Sequence, residues 1–174
     1  METNEILAEA DRTLTELIGL LSEFRPKQVN TVPWNGSWSA GQLAEHMILA
    51  NGGFVQMIFG PVEDTLRNPC EMILKIKADF LNFDIRMTSP PFIAPALINY
   101  DKERLLTDIR DIRGKAIDAI KTLDLTKTCT AFALPVYGYL TRLEACYFII
   151  YHTQRHIRQL KDIYQAIHQS VENS

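Results

Sequence analysis

Over residues 101–123 the apolar side chains Leu105, Ile109, Ile112, Ala116, Ile120 and Leu123 recur every three or four positions, and charged residues fill the intervals. A helical backbone turning about 100° per residue puts them on one stripe, so the stretch reads as a helix that buries one face. The same spacing links Ile6, Leu7, Ala10, Leu14, Leu17, Ile18 and Leu21 in a first helix that ends before Pro26. It returns in Leu143, Cys146, Tyr147, Ile150, Ile157, Leu160, Tyr164 and Ile167, the stripe of a long closing helix. A chain with several such stripes and hardly a convincing strand can bury them only by packing helix on helix.

Capping chemistry sets the remaining boundaries. Ser39 and Gln42 have the S-x-x-Q spacing in which each side chain serves the other's backbone, so a second helix is expected from about Ala40, and Gly60-Pro61 stops it near Phe59. Thr141 and Glu144 repeat the device ahead of the closing helix. The segment 26–38 reads as a loop. Residues 60–100 are the least regular part, with a short helix opening at Asn68-Pro69, running to between Asp79 and Phe83, and ending before the prolines of MTSPPFIAP. The expected fold is all-α: one four-helix-bundle domain over 1–174, with a long irregular connection between helices two and three that can cross the bundle.

The 18 basic and 21 acidic side chains give a net charge of −3 without a run of either sign, which argues against nucleic acid or a membrane surface as partner. No apolar run approaches the roughly 18 residues needed to span a bilayer. Cys70, Cys129 and Cys146 are odd in number and lack paired short spacings, as expected of free thiols in a reducing compartment. The amphipathic, acidic N-terminus is unlike a signal peptide, so a cytoplasmic location is expected.

His152 and His156 stand four apart, one above the other on one helix face, and continue the face of Leu160 and Ile163. Chance can produce this spacing among four histidines, so the pair gains weight from its inward position, where a neutral imidazole needs a partner. His46 lies near the middle of the second helix, on the stripe of Gln42, Leu49 and Gly53. If the second and last helices are neighbours, all three rings can converge on one ion. Three imidazoles suit Zn²⁺ or Ni²⁺ best, and Mn²⁺ or Fe²⁺ less well. Three ligands leave an open position, the mark of a catalytic site in which water or a thiolate is the reactive species on a small-molecule substrate.

Other residues have two readings each. Gln42 and Gln159, one turn from His46 and His156, can orient the rings or serve only structure; Arg155 can meet an anion at the site mouth or lie on a solvated face. Asn51-Gly52-Gly53 inside a helix is unfavourable by roughly 1 kcal/mol per glycine, offset by close packing or by room for a ligand. Trp34 and Trp38 can staple loop to core or form an aromatic wall. His168 reads as a C-terminal residue complementing the helix dipole. The connections 60–100 and 124–139 are the expected lids.

The stretch WSAGQLAEHMILAN resembles the W-S-x-x-x-x-x-x-H segment that opens the second bundle helix of the DinB/YfiT-like superfamily. LPVYGYLTRLEACYFIIYHTQRHIRQLKDI is similar to its closing segment, with P-x-x-G-x-L-T ahead of H-x-x-x-H. The resemblance implies a bundle of unusual connectivity and a divalent metal ion held by three histidines, here His46, His152 and His156. It also implies a homodimer and metal-dependent chemistry, either transfer of a low-molecular-weight thiol of the bacillithiol type to an electrophile or hydrolysis. A non-enzymatic stress-response or interaction module with a structural metal is the alternative from another class.

Overall fold

The structure, a computed structural model, describes residues 3–172. The order of elements is α1 (Thr3–Glu23), the one-turn α2 (Pro26–Val29), α3 (Ala40–Phe59), β1 (Val62–Glu63), α4 (Ile73–Leu81), a 3-10 turn at Pro91–Ile93, α5 (Lys102–Thr122), β2 (Thr128–Cys129) and α6 (Arg142–Glu172). The four long helices α1, α3, α5 and α6 form a bundle, and α4 packs on the flank of α6. No helix among the described residues is long and apolar enough to cross a membrane.

Both α1 and α3 lie against α5 and α6, so α1 and α3 occupy opposite corners. Side-chain bonds fix the directions. Lys102 Nζ donates to Phe24 O at 2.7 Å and Arg113 pairs with Asp11, which makes α5 antiparallel to α1. Gln154 to Glu9 (3.2 Å) and Lys161 to Glu16 (2.7 Å) make α6 parallel to α1, and Arg142 Nε to Ile58 O (2.8 Å) makes α3 antiparallel to α6. The neighbours α3 and α5 are therefore parallel, and the chain must return the length of a helix, about 30 Å for twenty residues, before α5 begins. That return is the long connection anticipated from the sequence. It runs over the seam between α3 and α6.

The expected caps are present. Ser39 Oγ accepts from Gln42 N at 3.2 Å while Gln42 Oε1 accepts from Ser39 N at 2.9 Å. Thr141 Oγ1 accepts from Glu144 N at 3.1 Å, and Glu144 Oε2 accepts from Thr141 N at 2.9 Å. Glu144 does more than cap. Fully buried, it also takes both Arg67 guanidinium nitrogens at 2.6 Å and the Met72 N–H at 2.8 Å, so one carboxylate binds α6, the β1–α4 loop and the start of α4 together.

This explains where the short helix differs from expectation. It begins at Ile73; Glu144, distant in sequence, accepts the Met72 N–H just ahead of it, while Asn68 Oδ1 accepts from Cys70 N at 3.0 Å in a turn. Two other elements were not anticipated. Pro26 starts the single turn of α2, where the Gln28 amide caps Arg25 N at 2.8 Å, and Val62↔Cys129 and Glu63↔Thr128 pair as a two-residue antiparallel ribbon.

Two apolar clusters fill the bundle. One gathers Leu14, Met57, Ile58 and Ile150, and the other Leu17, Leu21, Leu43, Met47 and Ile163. Along α6 the first includes Tyr151 and the second includes Ile157, so the turn carrying His152 and His156 lies between them.

Removing the Glu144 carboxylate leaves a guanidinium and two backbone N–H groups without their acceptor. We expect Glu144→Ala to lower stability by about 3 kcal/mol in urea unfolding, whereas a loss below about 1 kcal/mol, typical of an exposed pair, would contradict this clamp.

Candidate metal centre

His46 is brought to the α3–α6 seam by the antiparallel match of the two helices, and the i,i+4 spacing of α6 supplies His152 and His156 opposite it. The three Nε2 atoms converge: His152 Nε2 lies 3.2 Å from His46 Nε2 and 3.1 Å from His156 Nε2. His46 and His152 are buried, and His156 is partly exposed.

Each ring is held from behind. His46 Nδ1 is 2.9 Å from Ile93 O, His152 Nδ1 is 3.1 Å from Asn51 Oδ1, and His156 Nδ1 is 3.0 Å from Gln159 Oε1. Ser89 Oγ lies a further 3.3 Å from His46 Nδ1. An imidazole that donates from Nδ1 to an oxygen presents a bare lone pair at Nε2, the form in which histidine binds metal. Two ligands at about 2.1 Å from one ion are about 3.0 Å apart at a right angle and about 3.4 Å apart at a tetrahedral angle. The two separations from His152 Nε2 fall within that interval, and all three ligand nitrogens lie within 4.8 Å of one another. The three histidines thus form a group that can hold a metal ion.

Aromatic rings enclose the cluster. Trp38 is 5.1 Å from His46 between ring centres, Phe80 is 5.6 Å from His152, and Phe148 is 5.9 Å from His152 and stacks on Phe54 at 3.9 Å. Of the two tryptophans, Trp38 joins the wall while Trp34 stays largely exposed. Beside His46, Ser89 and Ile93 belong to the return connection, whose ends are fixed on either side. Arg155 donates to Phe80 O and Asn82 O at 3.1 and 2.9 Å and to Ile85 O; Asn30 exchanges two bonds with the Tyr100 backbone at 2.9 and 2.7 Å.

The remaining sequence candidates separate clearly. Gln42 is occupied by its cap, whereas Gln159 orients His156. Arg155 is half-buried, and carbonyls at and just beyond the end of α4 take its guanidinium. His168 donates to Tyr164 O at 2.8 Å and stacks on that ring, apart from the cluster. Nothing lies within 4 Å of where a Cβ on Gly52 or Gly53 would stand, so close packing does not explain these glycines. Asn51 and Ile93 were missed. Asn51 stood beside two glycines and read as a disturbance of the helix, and a backbone carbonyl leaves no residue-type signal.

A family model described as the DinB superfamily matches residues 9–160. The chain belongs to the DinB superfamily. A crystal structure described as TT2238, a four-helix bundle protein, is similar at a TM-score of 0.56 and 17% identity, over 92% of this chain and 99% of that one. It supports the bundle fold alone. No curated protein matches the sequence.

In this DinB-superfamily chain, burial pushes all three imidazole pKa values below the ordinary 6.5. For His152 the shift is large, with neighbouring His156, His46 and Arg155 adding to desolvation. For His46 desolvation outweighs the opposing bond to Ile93. For His156 desolvation and the nearby His46 carry the value to about 3 against the raising effect of Gln159. At pH 7 the rings are therefore neutral and ready to bind a cation. Below about 6.5 the unfolded chain takes up protons that the folded site refuses, so stability falls as pH falls, from about 6.5 toward the depressed folded values. We expect the Tm of metal-free protein to drop between pH 7 and 5.5, above the main carboxylate range. A Tm unchanged across that window would exclude a neutral buried triad.

Proposed function

We propose that the protein is a divalent-metal-dependent enzyme, with His46, His152 and His156 as ligands, that transfers a low-molecular-weight thiol to an electrophilic small molecule. The observation that carries this reading is the convergence of three Nε2 atoms whose opposite nitrogens are all committed to oxygen acceptors. Zinc or nickel suits three imidazoles best, with manganese and iron less favoured. A bound divalent ion supplies Lewis acidity, which lowers the pKa of a thiol or water at its open position.

The chain's own residues bind, orient and exclude water. Ile93 O, Asn51 and Gln159 hold the rings in the ligating tautomer, and Trp38, Phe80 and Phe148 keep the surroundings apolar, where charge interactions are strong. The groups directly behind the histidines are one backbone carbonyl, two amides and the Ser89 hydroxyl, none of which takes a proton at neutral pH. Activating water by general-base catalysis would need such a proton acceptor, whereas a thiol, the stronger acid, ionises more readily near a cation, so the arrangement favours the thiol reaction. The segment between Arg155's contacts and Tyr100 serves in this reading as the lid over His46. A homodimer belongs to the same proposal, read out by light scattering.

Elemental analysis of tag-free protein is expected to give about one equivalent of divalent metal per chain, lost with little change in folding in the His46→Ala, His152→Ala, His156→Ala triple variant. Protein without metal would overturn the metal-centre reading, whereas a variant that loses its fold along with its metal would point to a structural role for the ion. With metal present, chlorodinitrobenzene should be consumed only when bacillithiol is added. Ester cleavage without thiol would instead support a hydrolase.

A further inference from the structure

Asn51 sits near the middle of α3, 2% exposed, at a position where asparagine is a poor helix former. Its side chain spans two elements. Oδ1 faces His152 Nδ1 at 3.1 Å, and Nδ2 donates to Thr153 Oγ1 at 3.0 Å. Thr153 is fully buried, and its hydroxyl oxygen accepts from the amide. An amide with its NH₂ committed to Thr153 can offer only oxygen to His152, and the ring must then donate from Nδ1 and leave Nε2 bare.

The charge of this support is as informative as its geometry. Histidine ligands often donate to a carboxylate, which raises their basicity and offsets the charge of the ion. Here the acceptors are Asn51 Oδ1, Gln159 Oε1 and Ile93 O, all neutral. The cation Arg155 adds positive charge to the surroundings of His152 and His156. A divalent cation among three neutral imidazoles keeps its whole charge in a largely buried place, which is costly until an anion joins it.

We propose that Asn51 is a positioning residue of this centre: its amide selects the ligating tautomer of His152, and its neutrality leaves the charge of a bound cation to be balanced by an anionic atom of the substrate. This rests on the metal-centre reading above. It adds that the open position prefers anionic ligands and that the preference is set from behind the histidines.

Cobalt(II), followed by visible absorption, and azide as probe anion provide the test. Asn51→Leu removes the acceptor at similar size and should weaken cobalt binding 10- to 100-fold. Asn51→Asp restores an acceptor, so cobalt affinity should return to within about threefold of wild type or exceed it, while azide affinity falls at least about tenfold because a negative charge already offsets the ion. Gln159→Glu, at a less buried site, should likewise lower azide affinity and serves if the Asn51 variants fold poorly by circular dichroism. Wild-type protein that takes up no cobalt overturns the metal centre itself. Equal cobalt affinity in wild type and folded Asn51→Leu overturns only the positioning role. Azide binding unchanged in the carboxylate variants overturns the charge argument.

Discussion

Antiparallel packing of α3 on α6 is the constraint from which the rest of the molecule follows. It sets residue 46 against 152 and 156, 51 against 152, 54 against 148 and 58 against 142, so that one seam carries in succession a histidine cluster, an amide clamp, an aromatic stack and a backbone tie. A displacement of one residue along either helix, about 1.5 Å with a turn of about 100°, would separate the three Nε2 atoms. The buried Glu144 carboxylate anchors one end of this arrangement. It fixes the first turn of α6 and joins it to α4, which contributes Phe80 to the histidine enclosure.

A cluster of three imidazoles between two apolar cores is expensive to build. The rings give up much of their hydration and regain oxygen partners only at Nδ1, while their Nε2 atoms face other nitrogens. Apolar residues at these positions would make a more stable bundle, so the cluster is a local conflict of the kind found where structure yields to function. The enclosing aromatic side chains make the conflict sharper by lowering the polarity around it. A cation relieves it and becomes reactive for the same reason.

Connectivity decides what covers the site. Because α3 and α5 are parallel neighbours, the chain between them must return along the bundle, and its path lies over the α3–α6 seam. Ile93 O thereby becomes part of the support for His46, and Arg155, held by carbonyls at the end of α4, fixes the near end of the covering segment. An up-and-down bundle with short loops would leave this seam uncovered.

Much of this was legible in the linear pattern. The stripes through Leu14, Ile109 and Ile150 fixed the long helices, the pairs Ser39/Gln42 and Thr141/Glu144 set two helix starts, and His46 with His152/His156 marked the cluster, because periodicity and caps are short-range properties of the backbone. Contacts between segments were not legible. The N–H ahead of α4 goes to a carboxylate some seventy residues away, the Arg155 guanidinium goes to backbone carbonyls, and Asn51, beside two glycines that suggest either close packing or room for a ligand, bonds His152 and Thr153. The sequence by itself determined the four long helices and the residues able to bind metal. Only the tertiary structure decided which groups stand behind them, since a hydrogen bond needs two atoms within about 3 Å and local rules do not place distant residues so closely.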